Sequence, residues 1–271
     1  MGKFLTRALS GLVFVSVLIF SILYSKITFI CLFFSLMMLC LYEFKRMIAL
    51  KSVFPYLIGC LFFVFGNILN VEDIPARIIF EYVGVALFLT IFITFASILF
   101  AKKEEVISHL GKIFLSVIYI VVPFTLMVQI PFLNASFNYV NSTILGVFIL
   151  IWVNDSFAYL IGKNFGKHKL LERISPNKTI EGFMGGMLFT FIASFILTNQ
   201  FTSLTQTQWL VIAGIVSIFG VLGDLIESMF KRQAGVKDSS NFIPGHGGFL
   251  DRFDSVIFAA PFIFIYLQLV H

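Results

Sequence analysis

Charged residues are scarce in this chain: Asp, Glu, Lys and Arg make up 12% of its 271 residues, about half the share of an ordinary soluble domain. Cysteine is scarcer still. Cys31, Cys40 and Cys60 have no paired spacing, which excludes a disulfide framework and a thiolate metal cluster. There is no repeat of solenoid period, no low-complexity tract and no polar linker long enough to join a second, soluble domain. Nor is there a Walker-type Gly-x4-Gly-Lys-Ser/Thr stretch, so a P-loop NTPase is disfavoured. What fills the chain instead is apolar: 59% hydrophobic residues, 36 Phe and a mean hydropathy of +1.00. Its solvent is lipid.

A membrane-spanning helix needs about 20 mostly apolar residues. Such runs lie at roughly 8–25, 27–44, 53–70, 78–101, 113–133, 143–162, 182–201, 208–230 and 254–270, which predicts an all-α integral membrane protein of about nine transmembrane helices. Basic residues mark cytoplasmic loops. With the N-terminus cytoplasmic and the C-terminus outside, every Lys and Arg except Lys26 and Arg77 falls inside. The expected location is a multi-pass cell membrane with the active site facing the cytoplasm. The net charge of +5 then reports topology, and no nucleic-acid partner is expected. The first run follows Lys3 and Arg7 but lacks a small-residue cleavage site, and reads as a retained anchor.

The chain changes in kind near residue 140. Residues 1–140 hold spans and short loops, a membrane scaffold open to dimer contacts, in which Glu43 and Glu81 read as interfacial. Residues 141–271 form the catalytic region: they carry acids within spans and two longer cytoplasmic loops, 163–181 and 231–253, rich in Gly, Lys, Asp and Ser. Asp155 lies inside a span, where a charge costs roughly 2.5–3.5 kcal/mol and calls for a cavity or a partner; a hydrogen-bonded structural Asp is the alternative. Asp224, Glu227 and Ser228 stand at i, i+3 and i+4 on one helix face. Their bland reading is a local ion pair to Lys231 or Arg232. Lys237-Asp238 and Pro244-Gly245-His246-Gly247-Gly248 follow, then Asp251-Arg252-Phe253-Asp254 at the start of the last helix. Acids for a divalent ion, bases for phosphate and glycines for close backbone approach are what phosphoryl-type chemistry requires. Upstream, Ser175, Lys178 and Thr179 lead into a span whose free amides and dipole attract anions. Lys163, Lys167 and Lys169 suit anionic lipid as well as substrate.

From Ser228 to Asp254 the pattern Ser-x-apolar-Lys-Arg, four residues, Lys-Asp, a short spacer and Pro-x-His-Gly-Gly-apolar-x-Asp-Arg-apolar-Asp closely resembles the signature of the phosphatidate cytidylyltransferases, or CDP-diacylglycerol synthases. Asn154-Asp155 and Ser175-Pro176-x-Lys178-Thr179-x-Glu181-Gly182 look like that family's other marked stretches. The resemblance implies a nucleotidyltransferase of phospholipid synthesis that moves CMP from CTP to phosphatidate and releases pyrophosphate. It implies Mg2+, in some members a second cation such as K+, and a homodimer. Metal-holding acids map onto Asp224 and Asp251, with Glu227 assisting, and catalytic roles onto Asp224, Asp251, Lys231 and Arg252. Phosphates would be bound by Ser175, Lys178, Thr179, Lys231, Arg232, Lys237, His246 and Arg252. His246 is left open between binding the leaving group and shaping its loop. Asp155, Ser228, Asp238, Gly247, Gly248 and Asp254 are further candidates. The nearest rivals are a polyprenol or phytol kinase and a cytidylyltransferase for an ether-linked lipid. A secondary transporter is disfavoured because the acids are skewed to one face.

Overall fold

The computed structural model describes residues 2–68, 89, 90, 92–94, 96, 106–134 and 138–270. Helices dominate: α1 Gly2–Tyr24, α2 Lys26–Met47, α3 Phe54–Ile68, α4 Val106–Phe132, α5 Asn141–Phe165, α6 Ile180–Gln200, α7 Gln206–Gln233 and α8 Leu250–Val270. Among the described residues seven helices, all of these but α3, are long and apolar enough to cross a membrane, and the chain is a multi-pass membrane protein. The run expected at 78–101 lies outside the described residues, apart from 89, 90, 92–94 and 96, which are helical.

One element departs from an all-helical reading. Between α5 and α6 the chain forms a small antiparallel hairpin, β1 Lys169–Leu171 and β2 Ser175–Thr179, with Lys169 opposite Thr179 and Leu171 opposite Ser175. Pro176 favours extended backbone at Ser175 before it, and the Lys169 ammonium donates to the Pro176 carbonyl at 2.6 Å. Thr179 ends the strand and caps α6, its hydroxyl accepting from the Gly182 amide at 3.1 Å.

Two close helix crossings set the architecture. A Cβ on Gly182 would lie 2.7 Å from the Ala158 carbonyl oxygen, and one on Gly186 would lie 2.8 Å from that of Asn154; small residues thus let α5 and α6 meet backbone to backbone. Gly223 does the same for α7 and α8, facing the Asp254 carbonyl with the Phe258 Cβ 2.7 Å from where its own would stand. The start of α8 is anchored by buried Phe253. Its ring meets Phe14 of α1, Phe33 of α2, Phe124 of α4 and Phe148 of α5 at centroid distances of 6.0, 6.1, 5.4 and 6.3 Å. Two helices contain a π turn, Val117–Val121 in α4 and Val216–Gly220 in α7, each a local insertion of extra chain into the helical ladder.

Candidate active site

Between α7 and α8 the chain folds back on itself. The Ile243 amide donates to the Gly247 carbonyl at 2.9 Å, and the His246 amide donates to that of Ile243 at 2.9 Å. Gly245 and Gly247, with φ of +76° and +84°, occupy left-handed backbone that glycine adopts without strain. The loop is held by the first helices. The Ser10 hydroxyl of α1 lies 2.9 Å from the Pro244 carbonyl and 2.8 Å from His246 Nδ1.

Glu43 of α2 is fully buried and makes the stronger tie. Its Oε1 accepts from the Ser240 hydroxyl at 2.6 Å and the Phe249 amide at 3.0 Å. Its Oε2 accepts from the Ser239 hydroxyl at 2.9 Å and the Leu250 amide at 2.8 Å. The two amides belong to the opening of α8, where backbone donors lack intrahelical acceptors and the helix dipole favours a negative charge. Gly248 must be glycine for this approach, since a Cβ there would lie 2.5 Å from Glu43 Oε2. The interfacial reading of Glu43 is thereby corrected. Its acceptors are filled by a segment some 200 positions further along, a pairing that nothing local in the sequence announces.

Asp251 faces the same loop. Its Oδ1 accepts from Lys231 Nζ at 2.7 Å, and its Oδ2 accepts from the Ser239 amide at 3.0 Å and the Gly248 amide at 2.7 Å; the Ser239 hydroxyl, 2.9 Å from this oxygen and from Glu43 Oε2, has one proton to share between them. Asp254, one turn deeper, faces α7. There Asp224, Glu227 and Asp254 each offer an oxygen, all within 4.8 Å of one another. The converging trio therefore contains Asp254 where Asp251 was expected. The reason is rotational: Phe253 points into the aromatic hub, which turns Asp254 toward the Gly223 crossing and leaves Asp251 on the loop side.

Cations thread through these acids. Lys231 pairs with both Glu227 and Asp251, so the local ion pair holds for Glu227. Asp224 instead meets Lys178 of β2 and lies 3.3 Å from the Ser228 hydroxyl. Asp155, 3.5 Å from the Asn154 amide nitrogen, is within electrostatic reach of Asp224, Lys178 and Arg252. Arg252 donates to the His246 carbonyl at 2.9 Å, and with Lys237 and Asp238 it borders a polar cavity beside His246. Burial, then the charges of Arg252 and Arg7, hold the His246 imidazole below its ordinary pKa. Arg232 is exposed at the end of α7. Ser175 begins β2, and Thr179 spends its hydroxyl on the cap.

The trio suits a hard divalent cation. Carboxylate oxygens are the donors Mg2+ takes, and among the described residues the three acids converge with Lys231 as the ion-pair partner of buried Glu227 and Lys178 as that of Asp224, an excess of negative charge that a divalent cation would offset. Sequence comparison gives these residues their context. The chain is 37% identical over 272 residues to the phosphatidate cytidylyltransferase of Bacillus subtilis (strain 168), covering 97% of each chain. It is 43% identical over 150 residues to the enzyme of that name from Staphylococcus epidermidis (strain ATCC 12228), covering 52% of this chain and 57% of the other. It is 50% identical over 126 residues to that of Staphylococcus aureus (strain COL), covering 46% and 48%. The model of the cytidylyltransferase family matches residues 5–270, and the chain belongs to that family.

Proposed function

We propose that this chain transfers CMP from CTP to phosphatidate, forming CDP-diacylglycerol and pyrophosphate. The observation that carries the reading is the convergence of Asp224, Glu227 and Asp254, flanked by Lys178 and Lys231, where α7 crosses α8. The activity named for the relatives is the same. An oxygen of the phosphatidate phosphate attacks the α-phosphorus of CTP; the new P–O bond replaces the bond to the β-phosphate oxygen, and pyrophosphate departs with that electron pair. The nucleophile needs no general base, because its second pKa near ~6 leaves it largely dianionic at neutral pH.

What the protein supplies is alignment of two polyanions and cancellation of their charge. Asp224, Glu227 and Asp254 would hold Mg2+, which polarises phosphoryl oxygens as a Lewis acid. Asp251 orients Lys231, and a second cation such as K+ belongs to the reading as well. Lys231, Lys178 and Arg252 present their charges to the phosphates. Residues 1–140 serve as scaffold and, through Ser10 and Glu43, brace the catalytic half.

The same reading places the site at the cytoplasmic membrane face, where most Lys and Arg gather. The reading keeps nine crossings, with α3 and a span at 78–101 between α2 and α4, the N-terminus cytoplasmic and the C-terminus outside. A homodimer belongs to the reading too, tested by the mass of the purified protein in detergent. The decisive assay is purified protein with CTP, Mg2+ and phosphatidate, followed by mass analysis of the lipid. CDP-diacylglycerol is expected; a lipid carrying only an added γ-phosphate would replace this reading with a kinase.

A further inference from the structure

Three cations that have no carboxylate partner among the described residues gather on one cavity. Arg7, Lys237, His246 and Arg252, with Asp238 and Asn241, line a polar space of about 410 Å3 between the start of α1 and the loop after α7. Among the described residues the ion pairs are His168–Glu181, Lys178–Asp224 and those of Lys231, so Arg7, Lys237 and Arg252 are unpaired. Three fixed positive charges surround the single negative charge of Asp238. A concave site of that balance attracts a polyanion.

The loop is shaped to admit Arg7. A Cβ on Gly245 would stand 2.7 Å from the Arg7 Cγ, so any other residue there would push the arginine stem aside. One helical turn along α1, Ser10 joins Pro244 and His246 and fixes the helix against the loop. The cavity adjoins the acids at Gly247, which lines it and where a Cβ would lie 2.7 Å from Asp251 Oδ2, and Arg252, next in the chain after Asp251, donates to the His246 carbonyl. A phosphate chain whose first phosphorus lies at the acids can therefore run into this cavity.

We infer that Arg7 of the first helix is a substrate-binding residue and that this cavity seats the β- and γ-phosphates of the nucleotide, which leave together as pyrophosphate. The inference rests on the proposed cytidylyltransferase reading. Arg7, Lys237 and Arg252 around a space of about 410 Å3 offer room and donors for two phosphate groups; a single dianionic lipid phosphate would balance the net charge but leave part of the space and donors unused. Arg7 also satisfies the ordinary rule that cytoplasmic helix ends are basic, and the test must separate the two roles.

The full chain, purified with Mg2+, is assayed as wild type, Arg7→Ala and Arg7→Lys for KM of CTP, KM of phosphatidate and inhibition by inorganic pyrophosphate, with pyrophosphate binding followed directly by calorimetry. Arg7→Ala is expected to weaken CTP and pyrophosphate by about 10-fold or more while phosphatidate changes little; Arg7→Lys recovers only part, having lost the planar donor fork. Lys237→Ala, which lines the same cavity from the loop after α7, should weaken pyrophosphate in the same way and covers the case in which Arg7→Ala fails to fold. Unchanged CTP and pyrophosphate constants, or a shift confined to phosphatidate, overturn the inference. A wild type that makes no CDP-lipid sinks the underlying reading instead, a result that calorimetry tells apart from failure of the cavity assignment.

Discussion

Gly223 and Asp254 touch backbone to backbone where α7 crosses α8, and this contact brings the Asp224 and Asp254 carboxylates to one place. A methyl group at 223 would collide with the Asp254 carbonyl and press on Phe258. Gly223→Ala is therefore expected to part the two helices and lower CDP-lipid formation by about 10-fold or more, since small misplacements of catalytic groups cost that much. Gly214→Ala serves as the control in the same helix, because its Cβ would meet only Phe191 at an ordinary 3.8 Å.

Replacing carboxylates one at a time separates two arrangements for the metal. Asp224→Asn and Asp254→Asn should each lower pyrophosphate release by about 100-fold or more, the scale of a lost charge-stabilising group. Asp251→Asn should act differently, freeing Lys231 and the Ser239 and Gly248 amides it holds. Near-normal turnover by Asp254→Asn beside an inactive Asp251→Asn would restore the pairing of Asp224 with Asp251 suggested by the sequence.

Glu43 predicts a stability effect far from the reacting atoms. Glutamine there would turn an NH2 group toward backbone donors that cannot reverse, leaving buried amides unmatched at a cost of about 1–3 kcal/mol each. Glu43→Gln should lower the Tm in detergent and open residues 239–249 to limited proteolysis. Wild-type cleavage rates in that variant would show that the clamp does not hold the loop.

For His246 the sign of the pH effect is fixed by its lowered pKa. The unfolded chain takes up the proton first, so the contribution to stability is complete above about 6.5 and declines as pH falls below it. Arg7, Arg252, Lys237 and Asp238 share its cavity; an anion seated there raises the imidazole pKa. Pyrophosphate inhibition should thus strengthen between pH 7.5 and 6, and His246→Gln should flatten that slope. Equal slopes in both proteins would remove His246 from the anion site.

How much of this was legible in the sequence varies with range. The spans of α5 to α8 could be read from apolar runs, because lipid imposes one hydropathy rule along the whole chain. The stretch from Ser228 to Asp254 named most of the side chains that the structure brings together, and its glycines are where loop and helix approach closely. The hairpin at 169–179 was hidden because strands of three and five residues are too short for periodicity to declare. Choosing Asp254 over Asp251 for the acid trio required knowing where Phe253 points, which is a property of the packed core. Glu43 was misread because a lone carboxylate near the end of a span looks the same whether it meets water or the first amides of a distant helix.

The π turn at Val216–Gly220 carries one more consequence. On one side of it, α7 is indexed by Trp209, whose indole occupies the space a side chain at Gly146 of α5 would need; on the other, it is indexed by Gly223 against Asp254. These are two separate rulers, and the widened turn acts as a vernier that lets a single helix agree with both. Selection on this stretch should accordingly bear on the width of the turn more than on its letters: exchanges among apolar residues pass, whereas a change that closes the turn to an ordinary helical one removes the play by which Asp224 and Glu227 meet Asp254 while Trp209 keeps its place.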